Sequence, residues 1–163
     1  GSVLTAVIMF FTKQYTFGSG AIGLNVLNIG AAKTGLDFIQ AIALGIMCNA
    51  LVCLAVWMCF SARTVTDKIL AIIPPIAGFV AAGFEHSVAN MYFIPIALFV
   101  KNWGDPKFFE TIGKTAENFP TITWGNFLIA NLLPVTIGNI IGGAVMVGVI
   151  YWAIYLRGKK STK

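Results

Sequence analysis

The sequence predicts an all-α protein embedded in a membrane, because it is strongly apolar, contains long uncharged runs, and places basic residues at the ends of those runs. Hydrophobic residues make up 58% of the 163 positions and charged residues only 10%, with a mean hydropathy of +0.84. Soluble domains carry about 25% charged residues. A bilayer is therefore the expected solvent. The net charge of +5 sits in short patches between neutral runs, so no nucleic-acid partner is expected.

Uncharged runs predict the membrane helices. Residues 38–62 carry no charge and exceed the roughly 20 apolar residues that span a bilayer. Residues 118–156 are also uncharged but too long for one span, so we expect Pro134 to divide them. The predicted order is the end of an incomplete helix at 1–12, a span at 34–60, a half-span at 66–80, a break at 81–87, a half-span at 88–101, an interfacial helix at 124–133 and a last span at 135–157.

The basic residues predict the orientation. Segments 12–37 and 101–123 are long and mix Lys with Asp and Glu, whereas the loop 61–68 and the tail from Arg157 are short and basic. Short basic segments face the cytoplasm, so we expect a multi-pass protein with a cytoplasmic C-terminus. The basic residues that carry this prediction are Arg63, Lys68, Arg157, Lys159, Lys160 and Lys163.

Cysteine and histidine content excludes several classes of protein. Cys48, Cys53 and Cys59 lie in one predicted helix, at spacings that fit neither a zinc site nor a disulfide. A single histidine does not supply bis-histidine haem ligation, which argues against a respiratory anchor subunit. The sequence contains no phosphate loop, nucleophile elbow, HExxH motif or Asn-Pro dipeptide of the aquaglyceroporins. No enzymatic activity, cofactor or metal is expected.

The run 69–100 carries the most informative feature, because Glu85 and His86 interrupt it near its middle. One continuous helix over this run would be about 48 Å long, which exceeds the roughly 30 Å hydrocarbon core. Two half-helices joined by an unwound segment fit better, with Gly78 and Gly83 easing the unwinding. Such a break must line a polar cavity or be buried in protein, and the second half-helix would present a positive N-terminal end to an anion. The alternative is that Glu85 and His86 merely lock two helices together.

Three other features of the apolar runs bear on structure or function. Asn49 lies within an apolar run, and an amide in hydrocarbon needs a partner, so it either joins helices or faces a pore. Asn90 would share the helix face of His86 if the second half-helix begins there. Gly138 and Gly142 form a GxxxG motif, which predicts a close-packing surface without chemistry of its own, either within a subunit or between subunits.

Three segments of this chain resemble signatures of the formate/nitrite transporter family. Residues 83–91, Gly-Phe-Glu-His-Ser-Val-Ala-Asn-Met, resemble the family's central signature. Residues 45–55 are similar to the signature in its fourth helix, and residues 134–143 are similar to its last helix. The likeness runs from about Leu24 to Arg157, and the ending Tyr-Trp-Ala-Ile-Tyr-Leu-Arg resembles that of the formate channels within the family.

This resemblance implies an aquaporin-like subunit of six membrane segments in two inverted repeats, assembled as homopentamers with one pore in each subunit. The chain would contain the end of segment three and all of segments four, five and six, with segment five broken at the signature. Only the second half of the subunit would then be present. The expected location is the bacterial cytoplasmic (inner) membrane.

The resemblance also implies a role for seven residues. His86 matches the central pore histidine, and Asn49 matches the asparagine that lines the pore beside it. Phe79 and Val52 match an apolar constriction on the cytoplasmic side, although the pattern alone makes them look lipid-facing. The polar positions that tune the histidine or attract anions on the outer side are Lys33, which otherwise looks like a loop lysine, Glu85 and Asn90.

The function expected from these residues is a passive, pH-gated channel for small weak-acid anions, most readily formate. Histidine suits such a pore because its ordinary pKa of about 6.5 makes it switchable near neutral pH. His86 would donate a proton or a hydrogen bond to the passing anion. The expected partners are formate or a similar anion, protons, the lipid bilayer and identical subunits. A nitrite or hydrosulfide channel of the same fold remains an open alternative.

Overall fold

The computed structural model describes residues 1–157, and all regular structure in that range is helical, which confirms the predicted all-α class. The basic residues Lys159, Lys160 and Lys163 of the orientation prediction lie outside the described residues. Short 3₁₀ turns lie at Gln14–Thr16 and Ala116–Asn118. The main helices are α1 (Ser2–Phe11), α2 (Ala21–Thr34), α3 (Phe38–Ser61), α4 (Val65–Ala81), α5 (Ser87–Trp103), α6 (Pro106–Ile112) and a long C-terminal helix (Asn126–Leu156).

The described residues form two compact units. Unit 1 consists of Gly1–Phe38 and Ser87–Pro134, and unit 2 consists of Ile39–His86 with the described residues from Val135 onward. The first therefore contains α1, α2, α5, α6 and the beginning of the C-terminal helix. The second contains α3, α4 and the remainder of the C-terminal helix.

Unit 1 is built around α5, which packs against both α1 and α2. Its buried face includes Ile94, Ala97 and Leu98, none of which is more than 1% exposed. Gly30 of α2 faces Ala97, and a Cβ atom at Gly30 would collide with the Ala97 side chain. The absence of a side chain at Gly30 therefore permits α2 and α5 to pack closely.

The short helix α6 is defined by local signals at both of its ends. Asp105 caps its N-terminus by accepting a hydrogen bond from the Lys107 N–H at 3.0 Å, and Pro106 occupies the first turn, where its missing N–H costs nothing. Gly113 ends the helix in the left-handed conformation at φ +62°. Phe108 then buries its ring against Tyr15, with the ring centroids 5.2 Å apart.

Unit 2 is organised by contact between α3 and the C-terminal helix. A Cβ atom at Gly138 would overlap the Ile42 carbonyl, and one at Gly142 would overlap the Ile46 carbonyl. Gly45 of α3 also lies close to the C-terminal helix, because a Cβ there would lie 2.8 Å from the Val135 oxygen. The predicted GxxxG surface is therefore confirmed, and it joins two helices of the same chain.

The predicted division of the last run at Pro134 is wrong, since the structure contains one continuous helix of 31 residues, Asn126–Leu156. The turns before Pro134, at Asn126–Leu132, are π-helical, and α-helical turns follow at Leu133–Ile140. Proline breaks a helix because it lacks an N–H and its ring clashes with the carbonyl four residues earlier. The wider π turn displaces that carbonyl, so the helix continues.

The boundary predicted before α3 also differs from the structure. Residues 34–37 were expected to begin the span 34–60, but Thr34 ends α2 and α3 begins at Phe38. The Thr34 hydroxyl donates to the Gly30 carbonyl at 2.8 Å, and Gly35 follows as the C-cap. These local bonds end one helix where the hydropathy pattern shows only a polar linker.

Two of the described helices, Phe38–Ser61 and Asn126–Leu156, are long and apolar enough to cross a bilayer, as judged by length and composition. The Trp57 and Tyr151 rings stack between them with centroids 3.7 Å apart. The shorter helix α4 begins with a capping box, in which Thr64 and Asp67 exchange side-chain-to-backbone hydrogen bonds of 3.1 Å.

Candidate functional site

The candidate site begins where α4 ends, at a glycine-terminated helix cap. The Gly83 N–H donates to the Val80 carbonyl at 3.1 Å, and the Phe84 N–H donates to the Phe79 carbonyl at 3.0 Å. This pair of bonds is the Schellman motif, which requires a left-handed residue, and Gly83 has φ +68°. A Cβ at Gly83 would meet nothing within 4 Å, so backbone conformation rather than space selects glycine here.

The next residue, Glu85, is attached by its backbone to two other helices. Its N–H donates to the Leu44 carbonyl of α3 at 3.4 Å. Its carbonyl accepts a hydrogen bond of 3.0 Å from Nδ2 of Asn139 in the C-terminal helix. The residue is 4% exposed. The backbone of Glu85 therefore ties this segment to α3 and to the C-terminal helix, and the predicted role of its side chain stays a prediction.

Asn139 and Asn49 form a reciprocal amide bracket between α3 and the C-terminal helix. Asn139 Nδ2 also donates to the Gly45 carbonyl at 2.9 Å, so it contacts two carbonyls from different segments. In return, Asn49 Nδ2 donates to the Asn139 backbone carbonyl at 2.7 Å. Gly143 leaves room for this amide, because a Cβ at Gly143 would collide with Asn49 Nδ2. Asn49 therefore joins helices, and its predicted pore role remains a prediction.

His86 is the residue after Glu85, and it is half-buried. Its imidazole lies against the Phe79 ring, with centroids 6.2 Å apart and ring planes inclined by 32°. The structure thus brings together the histidine and one of the two residues that the resemblance assigns to an apolar constriction. The other, Val52, is also half-buried and lies one helical turn beyond Asn49 on α3. An imidazole bordered by an aromatic ring combines a proton donor with an apolar wall.

A second polar cluster lies within unit 1. Asn90 of α5 and Asn131 of the C-terminal helix are both fully buried, and Asn90 Nδ2 donates to Asn131 Oδ1 at 2.8 Å. Asn131 Nδ2 donates in turn to the Lys33 carbonyl at 2.9 Å. This ladder connects three helices through amide groups.

The structure places Lys33 in the last turn of α2, so the interpretation of Lys33 as a loop lysine is wrong. The helical signal is weak there because α2 contains two glycines among small apolar residues. Lys33 Nζ lies 5.7 Å from the centroid of the Phe93 ring, which is the range of a cation–π contact. A cation at a helix C-terminus also interacts favourably with the helix dipole.

Sequence reasoning did not select Asn131, Asn139 or Phe93. A signal for the two asparagines was present, because both are amides inside the apolar run 118–156, which is the argument that selected Asn49. Phe93 has no such signal, since one aromatic residue in an apolar helix looks like any other. Over residues 1–157 no group of three or more His, Cys, Asp or Glu side chains is arranged to hold a metal ion.

Comparison with known proteins identifies relatives over nearly the whole chain. A sequence model described as formate/nitrite transporter matches residues 1–153. The formate channel FocA of Escherichia coli (strain K12) is 46% identical over 157 residues, which are 96% of this chain and 55% of that protein. The probable formate transporter of Methanothermobacter thermautotrophicus is 39% identical over 135 residues, or 83% of this chain and 42% of that protein.

Two solved structures are similar in fold. A pentameric formate channel with formate bound has a TM-score of 0.91 and 46% identity, covering 96% of this chain and 61% of that chain. An FNT family ion channel has a TM-score of 0.69 and 31% identity, covering 93% of this chain and 53% of that chain. The chain spans about half the length of the curated relatives it matches.

Proposed function

This chain belongs to the formate/nitrite transporter family, and from that premise we propose that it contributes to a passive, pH-gated membrane channel for small monovalent anions such as formate. Its relatives are named as channels and transporters, which points to a non-enzymatic role. Within this proposal His86 is the residue that offers a proton or a hydrogen bond to the passing anion. Nitrite or hydrosulfide is the alternative cargo.

The proposed architecture is an aquaporin-like subunit of two inverted repeats, of which these residues form the second, with α4 and α5 as the halves of one broken membrane segment. The proposed assembly is a homopentamer in the bacterial inner membrane with a cytoplasmic C-terminus. Support for the pentamer comes from the similar structure, which is a pentameric formate channel. Support for the membrane comes from the apolar helices Phe38–Ser61 and Asn126–Leu156.

The proposed mechanism follows from the cost of moving a charge through an apolar passage. Removing an anion from water without compensation is very expensive, so a bare formate ion crosses apolar rings poorly. Protonation by His86 would convert formate to the neutral acid, whereas a hydrogen bond from the imidazole would lower the cost for the ion itself. Phe79 and Val52 would form the apolar constriction. Lys33, Glu85 and Asn90 would attract the anion or tune the histidine.

The observation that carries the proposal is the placement of the chain's single histidine. His86 is half-buried at a helix interruption, borders an aromatic ring, and follows a residue whose backbone is bonded to two helices. An ionisable residue inside a membrane segment marks a transport path more often than a structural site, because its burial is costly. A histidine in this setting supports proton-linked anion passage better than a purely packing role.

The test is anion flux through the full-length protein in proteoliposomes. Formate, nitrite and hydrosulfide are compared at about pH 5 and about pH 7.5, on either side of the ordinary histidine pKa of about 6.5. We expect formate flux to depend on pH in the wild type and the pH dependence to disappear in His86→Phe, with flux reduced at least about tenfold.

A second variant separates the two roles of the imidazole. His86→Gln keeps an N–H donor but has no proton that titrates near neutral pH. If His86 transfers a proton, this variant loses the pH dependence and conducts as poorly as His86→Phe. If the hydrogen bond suffices, it conducts formate without pH dependence. Unchanged flux and pH response in both variants, or no flux of any anion in the wild type, would refute the proposed function.

A further inference from the structure

The peptide groups on both sides of Glu85 form hydrogen bonds with residues of other helices. The N–H of Glu85 is bonded to the Leu44 carbonyl, and its carbonyl is bonded to Asn139 Nδ2. The Glu85 carbonyl and the His86 nitrogen belong to one planar peptide unit. Holding that carbonyl therefore holds the His86 nitrogen and Cα, the backbone atoms to which its side chain is attached.

Residues 84–86 lie between α4 and α5 and belong to neither helix. The Schellman motif at Gly83 ends α4 but does not determine the direction of the residues that follow. Helix α5 begins only at Ser87. The hydrogen bonds to Leu44 and Asn139 thus act on the non-helical residues between the two helices.

Asn139 is suited to this task by the chemistry of its side chain. A primary amide has two N–H donors, and Asn139 uses them on the Gly45 carbonyl at 2.9 Å and the Glu85 carbonyl at 3.0 Å. The first bond ties the amide to α3, and the second ties it to the non-helical segment. Asn49 adds a bond of 2.7 Å to the Asn139 backbone carbonyl from the same helix α3. The side chain is 94% buried, so water does not readily replace these bonds.

We propose that Asn139 is a positioning residue for His86, which acts by holding the Glu85 carbonyl and thereby the peptide unit that carries the histidine. This inference rests on the proposed role of His86 in anion passage. Asn139 does not contact the anion in this proposal. Its loss misplaces the imidazole, and the effect on transport then passes entirely through His86.

The test uses Asn139→Asp in the full-length protein, because a carboxylate has the same shape but donates no hydrogen bond to either carbonyl when ionised. Hydrogen exchange of the peptide covering residues 83–87 is expected to accelerate about tenfold, which corresponds to about 1.4 kcal/mol of lost local stability. Formate flux at about pH 5 is expected to fall by a similar factor and its pH dependence to flatten.

The matched control is Asn126→Asp on the same helix. Asn126 Nδ2 also donates to a backbone carbonyl, that of Thr121 at 2.8 Å, but contacts none of the residues assigned to anion passage. We expect no change in exchange at 83–87 or in the pH profile. Asn139→Ser, which retains one donor, is expected to give intermediate exchange and serves if the aspartate variant does not assemble.

A double variant distinguishes positioning from a general structural role. If Asn139 acts through His86, Asn139→Asp has no further effect on flux in the His86→Gln background. Equal losses in both backgrounds, or unchanged exchange at 83–87 in a folded Asn139 variant, would overturn the inference. A wild type whose formate flux does not depend on His86 would overturn the proposed function instead, and the exchange measurement would still test whether Asn139 holds the segment.

Discussion

Asn131 and Asn139 lie on the same helix, but they bond to different kinds of partner in the two units. Asn131 accepts a hydrogen bond from another buried amide, Asn90, and donates to the Lys33 carbonyl, all within the densely packed unit 1. Asn139 donates to two backbone carbonyls, those of Gly45 and Glu85. In unit 1 an amide pair lies inside a core, whereas in unit 2 an amide holds a non-helical piece of chain.

Similar buried amides therefore contribute to core packing in unit 1 and position a non-helical segment of the chain in unit 2. A buried amide pair is costly to break, because each partner loses a hydrogen bond that water cannot replace. An amide that donates to a backbone carbonyl of a non-helical segment also fixes the position of that segment, because no helix holds that carbonyl in place. We therefore expect a change at Asn131 to act mainly on stability and changes around Asn139 to alter function as well.

The largest effect is expected where α3 and the C-terminal helix touch through glycine. Gly142→Ala places a methyl group against the Ile46 carbonyl, and two backbones must separate to admit it. Overpacking usually costs about 1–3 kcal/mol, and we expect the upper end of that range or more here, because backbone rather than a flexible side chain must move. Thermal unfolding of the full-length protein in detergent should show a marked loss of stability.

The control for this change is expected to raise the stability of the protein rather than lower it. Gly148→Ala on the same helix meets only the Gly143 oxygen at 3.5 Å, an ordinary contact. A helical glycine replaced by alanine without strain gains about 0.5–1 kcal/mol. A stable Gly142→Ala protein would mean that the two helices separate easily and that the bracket around Asn139 is not held by close packing.

An intermediate effect is expected from Asn131→Ala. The change removes the acceptor of Asn90 and the donor to the Lys33 carbonyl at a site with no solvent exposure. The expected cost is about 1–3 kcal/mol in unfolding free energy, measured by denaturation of the full-length protein. Combination with Asn90→Ala should cost less than the sum of the single changes, because the two side chains share one bond.

Exchange at residues 83–87 should stay at the wild-type rate in the Asn131→Ala protein, in contrast to the Asn139 variants. Accelerated exchange there would erase the distinction between a packing amide and a positioning amide.

The smallest effect is expected from Phe93→Leu. This change removes the ring that lies 5.7 Å from Lys33 Nζ, a contact of about 0.5–1 kcal/mol at a partly exposed site. We expect formate flux at low anion concentration to change less than about fivefold, with stability nearly unchanged. Phe93→Tyr keeps the aromatic face and should behave as the wild type. A loss as large as that of His86→Phe would show that Lys33 depends on Phe93 for its placement.

The family and the all-α class were predictable from the sequence, and both are confirmed. Hydropathy is a sum over neighbouring residues, so long apolar runs are visible without a fold. The central signature at 83–91 is contiguous, and the polar pair Glu85 and His86 stands out because charge inside an apolar run is rare. The rule that proline ends a helix failed at Pro134, since the π turns before it admit the ring.

The tertiary structure alone decided which amides meet which carbonyls. The partners of Asn131 and Asn139 lie 41 to 98 positions away in sequence, and no local pattern specifies them. The partner of Asn49 was not predictable either. An amide in an apolar helix needs a hydrogen-bond partner, but the sequence does not indicate which residue provides it. Sequence by itself determined the chemistry available, which is one histidine and a few buried amides in an apolar chain. Packing determined their roles, because a hydrogen bond requires two groups within about 3 Å and only the fold brings these distant segments that close.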